Sequence, residues 1–255
     1  MMLSVQNNFG YVISETGPPA VAVSFSSPNT AGNGLIVVAH FTIVWPSIIP
    51  SLSVLDARAN SYLPVGACSA SSSWRGYLAA WYVRSCAGGA NAVTVTETLP
   101  TGSNSYVLSV AVFEYAGGFG ALDTCAWGDG IAQPSISLSL ATSVAGDLIF
   151  CYSANFGTLA TVSLDPSSSG YTTEQTEQIN NVATPSYRII ELLAVDKVSY
   201  SAGVQSVTLD FTQTMDGVDT LFVAALPLTS APPAPPAPPT PSPVSGSAAG
   251  WPTIF

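Results

Sequence analysis

The chain is short of charge, and shortest of positive charge. Charged residues make up 8% of its 255 positions, against roughly a quarter in an average globular protein. Arg58, Arg75, Arg84, Arg188 and Lys197 are its five basic residues, set against fifteen acidic ones and scattered along the sequence. Nucleic acid is thereby excluded as a partner, because such binding rests on clustered Lys and Arg contacts to phosphate. Histidine is equally scarce. His40 stands alone inside an apolar run, where it reads as a core imidazole rather than a general base, which needs a positioned partner. The sequence has no Gly-x-Ser-x-Gly elbow and no second histidine for a zinc cluster. Its four cysteines, Cys68, Cys86, Cys125 and Cys151, are too widely spaced for a CxxC knuckle. Cys68 and Cys86 flank a Ser-rich loop and a strand, which leaves two readings open: a disulfide between them, or buried free thiols acting as small hydrophobes. The segment Met1-Met2-Leu3-Ser4-Val5-Gln6-Asn7-Asn8 offers neither a basic region nor an apolar one, so export by a general secretory signal is not expected. Residues 34–50 carry no charge and approach the length of a membrane span, about 20 residues. They are dense in Ile and Val and broken by Pro46 and Pro50, so a strand buried on both faces is expected and no membrane span.

What the chain does have is a long-range repeat. Ala31-Gly32-Asn33 leads into Leu35-Ile36-Val37-Val38-Ala39, and Ala145-Gly146-Asp147 leads into Leu148-Ile149-Phe150-Cys151-Tyr152. Gly32 to Val93 and Gly146 to Val207 are both spans of 61 residues, and each valine lies in a β-branched run that follows an Ala-Gly turn. Short strand signals bounded by Gly, Pro, Asn or Ser recur at 21–25, 35–43, 51–55, 76–84, 92–97 and 106–115. They recur again at 135–140, 147–153, 160–164, 186–195, 205–212 and 220–226. No long apolar pattern at helical period appears. The expected fold is all-β, an antiparallel two-sheet sandwich of jelly-roll type, occupying residues 1–230 with pseudo-repeats at about 20–117 and 135–228. No Pro/Gly linker precedes the second copy, so one sandwich with interleaved halves is favoured over two separate domains.

Beyond this the composition changes. Residues 231–243 are Ala-Pro-Pro repeats, which favour polyproline II and can extend about 40 Å at ~3.1 Å per residue. They precede the apolar terminus Trp251-Pro252-Thr253-Ile254-Phe255. Residues 231–255 thus read as an extended arm whose tip, Trp251, Ile254 and Phe255, is an assembly contact.

Candidate chemistry is thin. Glu97 and Glu114 are strand-borne carboxylates of the kind glycosidases pair across a sugar, while Glu174 and Glu177 lie in a Gln/Thr-rich stretch that reads as a solvated loop or edge. Asp123 with Asp129, and Asp216 with Asp219, sit in Gly-rich loops that can offer oxygens to Ca²⁺. They lack the spacing of a dedicated calcium loop and are explained as turn formers, so no cofactor is expected. Trp45, Trp74 and Trp127 occupy loop-like positions and are the candidate ligand-binding residues, since flat rings on an uncharged surface can stack on sugars or anchor a protein contact. Trp81 alternates with Ala79 and Val83 and reads as core.

Four strings carry a resemblance: Asn29-Thr30-Ala31-Gly32-Asn33; Val54-Leu55-Asp56 with Asn60-Ser61-Tyr62; Ala87-Gly88-Gly89-Ala90-Asn91; and Glu114-Tyr115-Ala116-Gly117. They resemble, in the same order, the patterns TAGNLLIV, VTDSxGNTY, AGGxNTVTV and EYSG of uncharacterised secreted and phage-borne β-sandwich proteins of soil bacteria. The similarity spans roughly residues 20–228. Asp56-Ala57-Arg58-Ala59-Asn60 departs from the Asp-Ser-x-Gly-Asn turn of that group. The resemblance implies a jelly-roll-like sandwich used for display or binding and carries over no catalytic residue. Two functions are therefore expected. The first is a non-enzymatic virion structural protein of a bacteriophage, a head-decoration, head-fibre or tail-associated subunit on the virion surface, whose partners are other virion subunits or copies of itself. The second is an extracellular carbohydrate-binding or adhesive module that takes surface glycans.

Overall fold

The computed structural model describes residues 4–13, 19–43, 51–69, 75–98, 105–131, 134–157, 161–180, 189–211 and 218–229. These residues are all-β, with no helix among them and hence none long and apolar enough to cross a membrane. The first repeat contributes eight strands: β1 (Ser4–Ile13), β2 (Ala20–Ser24), β3 (Gly34–Ile43), β4 (Ser51–Asp56), β5 (Leu63–Ser69), β6 (Arg75–Val83), β7 (Ala92–Thr98) and β8 (Ser105–Tyr115). The second contributes β9 (Thr124–Ile131), β10 (Ser135–Thr142), β11 (Asp147–Gly157), β12 (Val162–Leu164), β13 (Thr172–Asn180), β14 (Ile189–Ser199), β15 (Gly203–Phe211) and β16 (Val218–Pro227).

Each repeat forms its own two-sheet antiparallel sandwich. In the first, a sheet ordered β1-β8-β3-β6-β5 packs on one ordered β2-β7-β4; in the second, β9-β16-β11-β14-β13 packs on β10-β15-β12. Adding eight to each strand number of the first repeat gives the second, so the duplication is complete at the level of topology. The interleaving expected from the missing linker does not occur. A linker rich in Gly and Ala, residues 116–123, is enough to pass from β8 to β9. The repeat landmarks do coincide in structure: Gly32 and Gly146 adopt φ of 92° and 93°, and Val93 and Val207 are both buried on the central strands of the small sheets.

The continuous apolar runs have a packing cause. On β3, Leu35, Val37, Ala39 and Phe41 point toward the small sheet and join Val21, Val23, Val93 and Val95. Ile36 and Val38 point the other way, into a cluster shared with Leu148, Phe150, Tyr152 and Ala154 of β11. The two five-stranded sheets therefore lie face to face, and the Phe113 and Phe150 rings meet edge-on at 5.1 Å across the junction. The result is a stack of four sheets, three-, five-, five- and three-stranded, in which strands such as β3 are covered on both sides. A strand buried on two faces loses the polar alternation of a half-exposed one, as expected for this segment.

Polar groups also enter the junction. Asn7 Nδ2 of β1 donates to Glu174 O of β13 at 2.9 Å, and Glu174 is the residue left over at a register shift between Thr173 and Gln175. Beside it Asp196 is buried against Tyr115, and burial together with the Glu174 charge pushes its pKa up to about 7.

The linker is pinned by Phe119. Its amide donates to Arg84 O at 2.7 Å, while Gly120 N donates to Pro227 O at 2.7 Å. Leu122 N donates to the Tyr82 hydroxyl at 3.1 Å. The Phe119 ring lies directly on Gly34, where an added Cβ would come within 2.4–2.8 Å of three ring carbons. The last described residues, Leu228 and Thr229, are held by Gly146 O and Gly118 O. The arm, with Trp251, Ile254 and Phe255, lies outside the described residues. Gly34→Ala should displace the ring and cost about 1–3 kcal/mol as an overpacked core does. Urea denaturation measures this directly, and an unchanged midpoint would show that Phe119 does not fasten the repeats.

Candidate functional site

In the first repeat the connections that follow even-numbered strands, β2 to β3, β4 to β5, β6 to β7 and β8 to β9, converge at one end of the sandwich. Two carboxylates organise them. Glu114, near the end of β8, is fully buried. It accepts from Gln6 Nε2 at 2.5 Å, Asn29 Nδ2 at 2.8 Å, Thr30 N at 2.8 Å and Asn33 Nδ2 at 2.7 Å. Burial alone would raise its pKa; these bonds outweigh burial and hold the carboxyl below the usual glutamate range. Asn33 Oδ1 in turn accepts from Gly117 N at 3.2 Å. Thus the β2–β3 loop, β1 and the start of the linker are stapled to one anion.

Asp56, at the end of β4, does the same for the neighbouring loops. It accepts from Arg58 N and Asn60 N at 3.0 Å each, Asn60 Nδ2 at 2.6 Å, the Tyr62 hydroxyl at 2.7 Å and Asn91 Nδ2 at 3.0 Å. Here too burial works against the charge and the bonds from Asn60, Tyr62 and Asn91 win, so the pKa lies below the usual aspartate range. The turn forces Ala59 to φ 55°, the one non-glycine residue with positive φ among the described residues, at the position where the resembling modules carry glycine. Cys86 is a free, buried thiol donating to Thr30 O at 3.2 Å. Burial and then the Glu114 charge push its pKa up to about 11. The free-thiol reading is therefore the one the fold adopts, and a Cys68–Cys86 bridge is not formed; the Cys68 side chain lies outside the described residues.

Above these staples lies an open cleft of about 390 Å³, lined by Ser24, Phe25, Ser26, Ser27, Pro28 and Asn91 among others. Its lining is mostly apolar, relieved by the serine hydroxyls, and includes no ionised side chain, so it is poorly suited to an ion. Asn91 holds one wall, with its amide tied to Asp56.

The remaining sequence candidates disperse. Trp127 is half exposed on β9, an edge strand, on the face where Cys125 donates to Val65 O of β5 at 3.3 Å. It does not line the cleft. Trp45 and Trp74 lie outside the described residues. Glu97 is buried on β7, near the end of the sandwich opposite Glu114; at ~3.3 Å per residue the two stand on the order of 20 Å apart, so no carboxylate pair forms. Glu174 and Glu177 lie on β13, an edge strand as expected. Asp123 stays in the linker while Asp129 is six residues further on, in β9 opposite Thr220, so the calcium loop considered for them is not built. Asp216 lies outside the described residues, as does the side chain of Asp219. His40 is buried, and burial pulls its pKa down to about 4, so it is neutral at physiological pH. Trp81 packs with Val83 on the first sandwich core, as read. Missing from the sequence reading were the roles of Gln6, Asn29, Asn33, Asp56, Asn60, Tyr62 and Asn91. The signal was present, since most of them stand in the strings that carry the resemblance.

Glu114→Gln should cost about 2–3 kcal/mol, because donors aimed at a buried anion lose it. The sign of the pH effect follows from the lowered pKa: the stabilisation is full above the unfolded value and disappears as pH falls through the folded one. The stability gap between wild type and variant, from denaturant titrations, should therefore close below about pH 4. A gap independent of pH would mean that Glu114 contributes packing and not charge. Ala59→Gly should do the opposite and stabilise by about 0.5–1 kcal/mol, since only glycine takes a left-handed backbone without penalty. A lower melting temperature in this variant would refute the strained turn.

No known protein family matches the chain, and neither a curated protein nor a solved structure matches it.

Proposed function

We propose that this chain is a non-enzymatic structural subunit of a bacteriophage virion, displayed on the particle as a head-decoration, head-fibre or tail-associated protein. One observation carries the reading. At the loop end of the first repeat, where a sandwich is best placed to do chemistry, both organising carboxylates are spent on holding backbone and amide groups. What the body offers outward there is shape, hydroxyls and a neutral cleft. A stack of four sheets with a weakly charged surface suits a component that must stay folded on a particle exterior and meet its neighbours through fitted surfaces. The Ala-Pro-Pro composition of residues 231–243 and the apolar Trp251, Ile254 and Phe255 that follow support the same reading, as a spacer and a contact for a neighbouring subunit.

The cleft favours a second reading, an extracellular carbohydrate-binding or adhesive module, because serine hydroxyls beside an aromatic and a proline are groups that sugars use. The two readings separate in one experiment. Particles produced with the full-length chain and with residues 231–255 deleted are purified and their protein content is measured by mass spectrometry. The structural reading expects the full chain in stoichiometric amount and the truncated one, still folded, to be lost. Equal incorporation of both would remove the arm from the assembly, and absence of the full chain from washed particles would overturn the virion reading. Binding of the purified protein to a glycan array, weakened by substituting Ser26 and Ser27, would then establish the second.

A further inference from the structure

The two repeats solve one local problem in two ways. In the first, the loop Asn29-Thr30-Ala31-Gly32-Asn33 precedes β3; in the second, Ser143-Val144-Ala145-Gly146-Asp147 leads into β11. The loops share their turn, with Gly32 N donating to Cys86 O at 3.0 Å and Gly146 N to Ser199 O at 2.7 Å. Each is also capped by a carboxylate. Glu114 caps the first through Asn29 Nδ2 and Thr30 N. Asp123, from the linker, caps the second, accepting from Ser143 N at 2.6 Å and Ser143 Oγ at 2.5 Å. The difference lies in the fifth residue. Asn33 gives its amide to the capping carboxylate, whereas the corresponding residue is Asp147, a second acid.

Asp147 is fully buried, and neither of its oxygens finds a donor among the described residues. Among the described residues its surroundings supply no cation. The linker presents the Asp123 carboxyl, the loop presents Ser143 and Gly146, β16 presents Pro227 and β14 presents Ser199. Lys197, two residues back on β14, sits over the Tyr171 ring, 4.3 Å from its centroid. The Asp123 and Asp147 carboxyls lie within hydrogen-bonding reach of each other, and two carboxylates so placed cannot both stay ionised without a proton or a cation between them. A divalent cation fits poorly, because Ca²⁺ takes six to eight oxygens and both Asp123 oxygens are already engaged by Ser143. A proton needs no further ligand.

We propose that Asp123 and Asp147 form a proton-operated clasp, in which the Asp147 carboxyl donates to the Asp123 carboxylate and fastens the linker to the 143–146 loop and the root of the C-terminal arm. Opening is a simple dissociation: the shared proton leaves to solvent, both carboxyls become anions and they repel. The parts it holds are defined, since Asp123 N donates to Ala225 O at 3.0 Å and Leu228 N to Gly146 O at 3.4 Å. Burial, with the Asp123 charge, raises the Asp147 pKa to about 6. The sign follows: between the ordinary aspartate value and about 6 the folded state holds a proton that the unfolded chain has released, so the clasp is closed in mild acid and loses its hold as pH rises.

The test is hydrogen exchange of the amides of 143–147 and 225–229 at about pH 5 and about pH 8, corrected for intrinsic rates, in the full chain and in Asp147→Asn and Asp123→Asn. Wild type should lose protection at these amides on the order of tenfold or more at the higher pH. Asp147→Asn should retain it at both, because an amide donates without titrating, as Asn33 does. Asp123→Asn serves if Asp147→Asn fails to fold, since its amide can donate to Asp147. Local exchange is the readout because Asp196 titrates in the same range at the repeat junction. Equal protection at both pH values in wild type, or an unchanged pH response in the folded variants, overturns the clasp. Millimolar Ca²⁺ restoring wild-type protection at about pH 8 also overturns it and assigns the pair to a cation.

Discussion

Everything in this molecule depends on the contact between its two large sheets. A single eight-stranded sandwich buries one face of each of its sheets and leaves the other to water. Here the outer faces of the two five-stranded sheets are apolar, and they cover each other with Ile36, Val38 and Phe113 on one side and Leu148, Phe150 and Tyr152 on the other. Each large side chain fully buried in this way is worth about 1.5–3 kcal/mol, so neither repeat is expected to be at ease alone. The composition follows from the same contact. With two sheets buried on both faces, the chain has fewer exposed positions to fill. Many of those on the small sheets carry Ser and Thr, as in the ladder of Ser137 with Thr208 and Ser139 with Ser206, at 2.8 Å each. Low charge is thus a consequence of four layers before it is a statement about partners.

That contact also decides which strands can be read from sequence. The inner strands of the large sheets, β3, β6, β8, β11, β14 and β16, were legible as apolar runs, and so were the strands of the small sheets. The strands that gave no strand signal, β1, β5, β9 and β13, are the four outer edges of the large sheets. Their sequences explain it. SVQNNFGYVI, LPVGACS, TCAWGDGI and TTEQTEQIN carry amides, Gly, Pro and acids where an inner strand has Val or Ile. An edge strand has one paired side, and polar, bulged or proline-bearing edges discourage pairing with another chain. The register shifts at Pro64/Gly66 and Thr173/Gln175 lie on two of these edges. The separateness of the two repeats leaves as little mark, since they join through the eight residues 116–123, which contain no proline and read as an ordinary turn.

The polar motifs were visible as strings, but their meaning was not. Gln6, Asn29 and Asn33 each lie more than eighty residues from Glu114, and only the return of β8 beside β3 and β1 brings them to one point. Asp56 gathers Asn60 and Tyr62 locally and Asn91 from across the fold. In sequence, carboxylates at strand ends look the same whether they serve catalysis or hold loops together. What distinguishes them is the count of donors around each, which is a property of the folded loops. The departure at Ala59 is the exception that sequence did expose: a five-residue turn lacking its glycine turned out to be the place where a side chain occupies the left-handed region.

Duplication gave the second repeat the same frame and released its loops to diverge. The first repeat closes its loop end with a carboxylate met by amides, an arrangement indifferent to pH above the acid range. The second places acids against acids, Asp123 with Asp147 and Glu174 with Asp196, and burial raises the pKa of one member of each pair. Both pairs border the junction: the linker runs through the first, and the second sits against Tyr115 of the opposite repeat. A fold held together by apolar contact has little means of sensing its surroundings, because that contact varies slowly with conditions. Setting proton-dependent pairs at the margin of the apolar junction supplies such a means without disturbing the core, and it does so where the arm leaves the body.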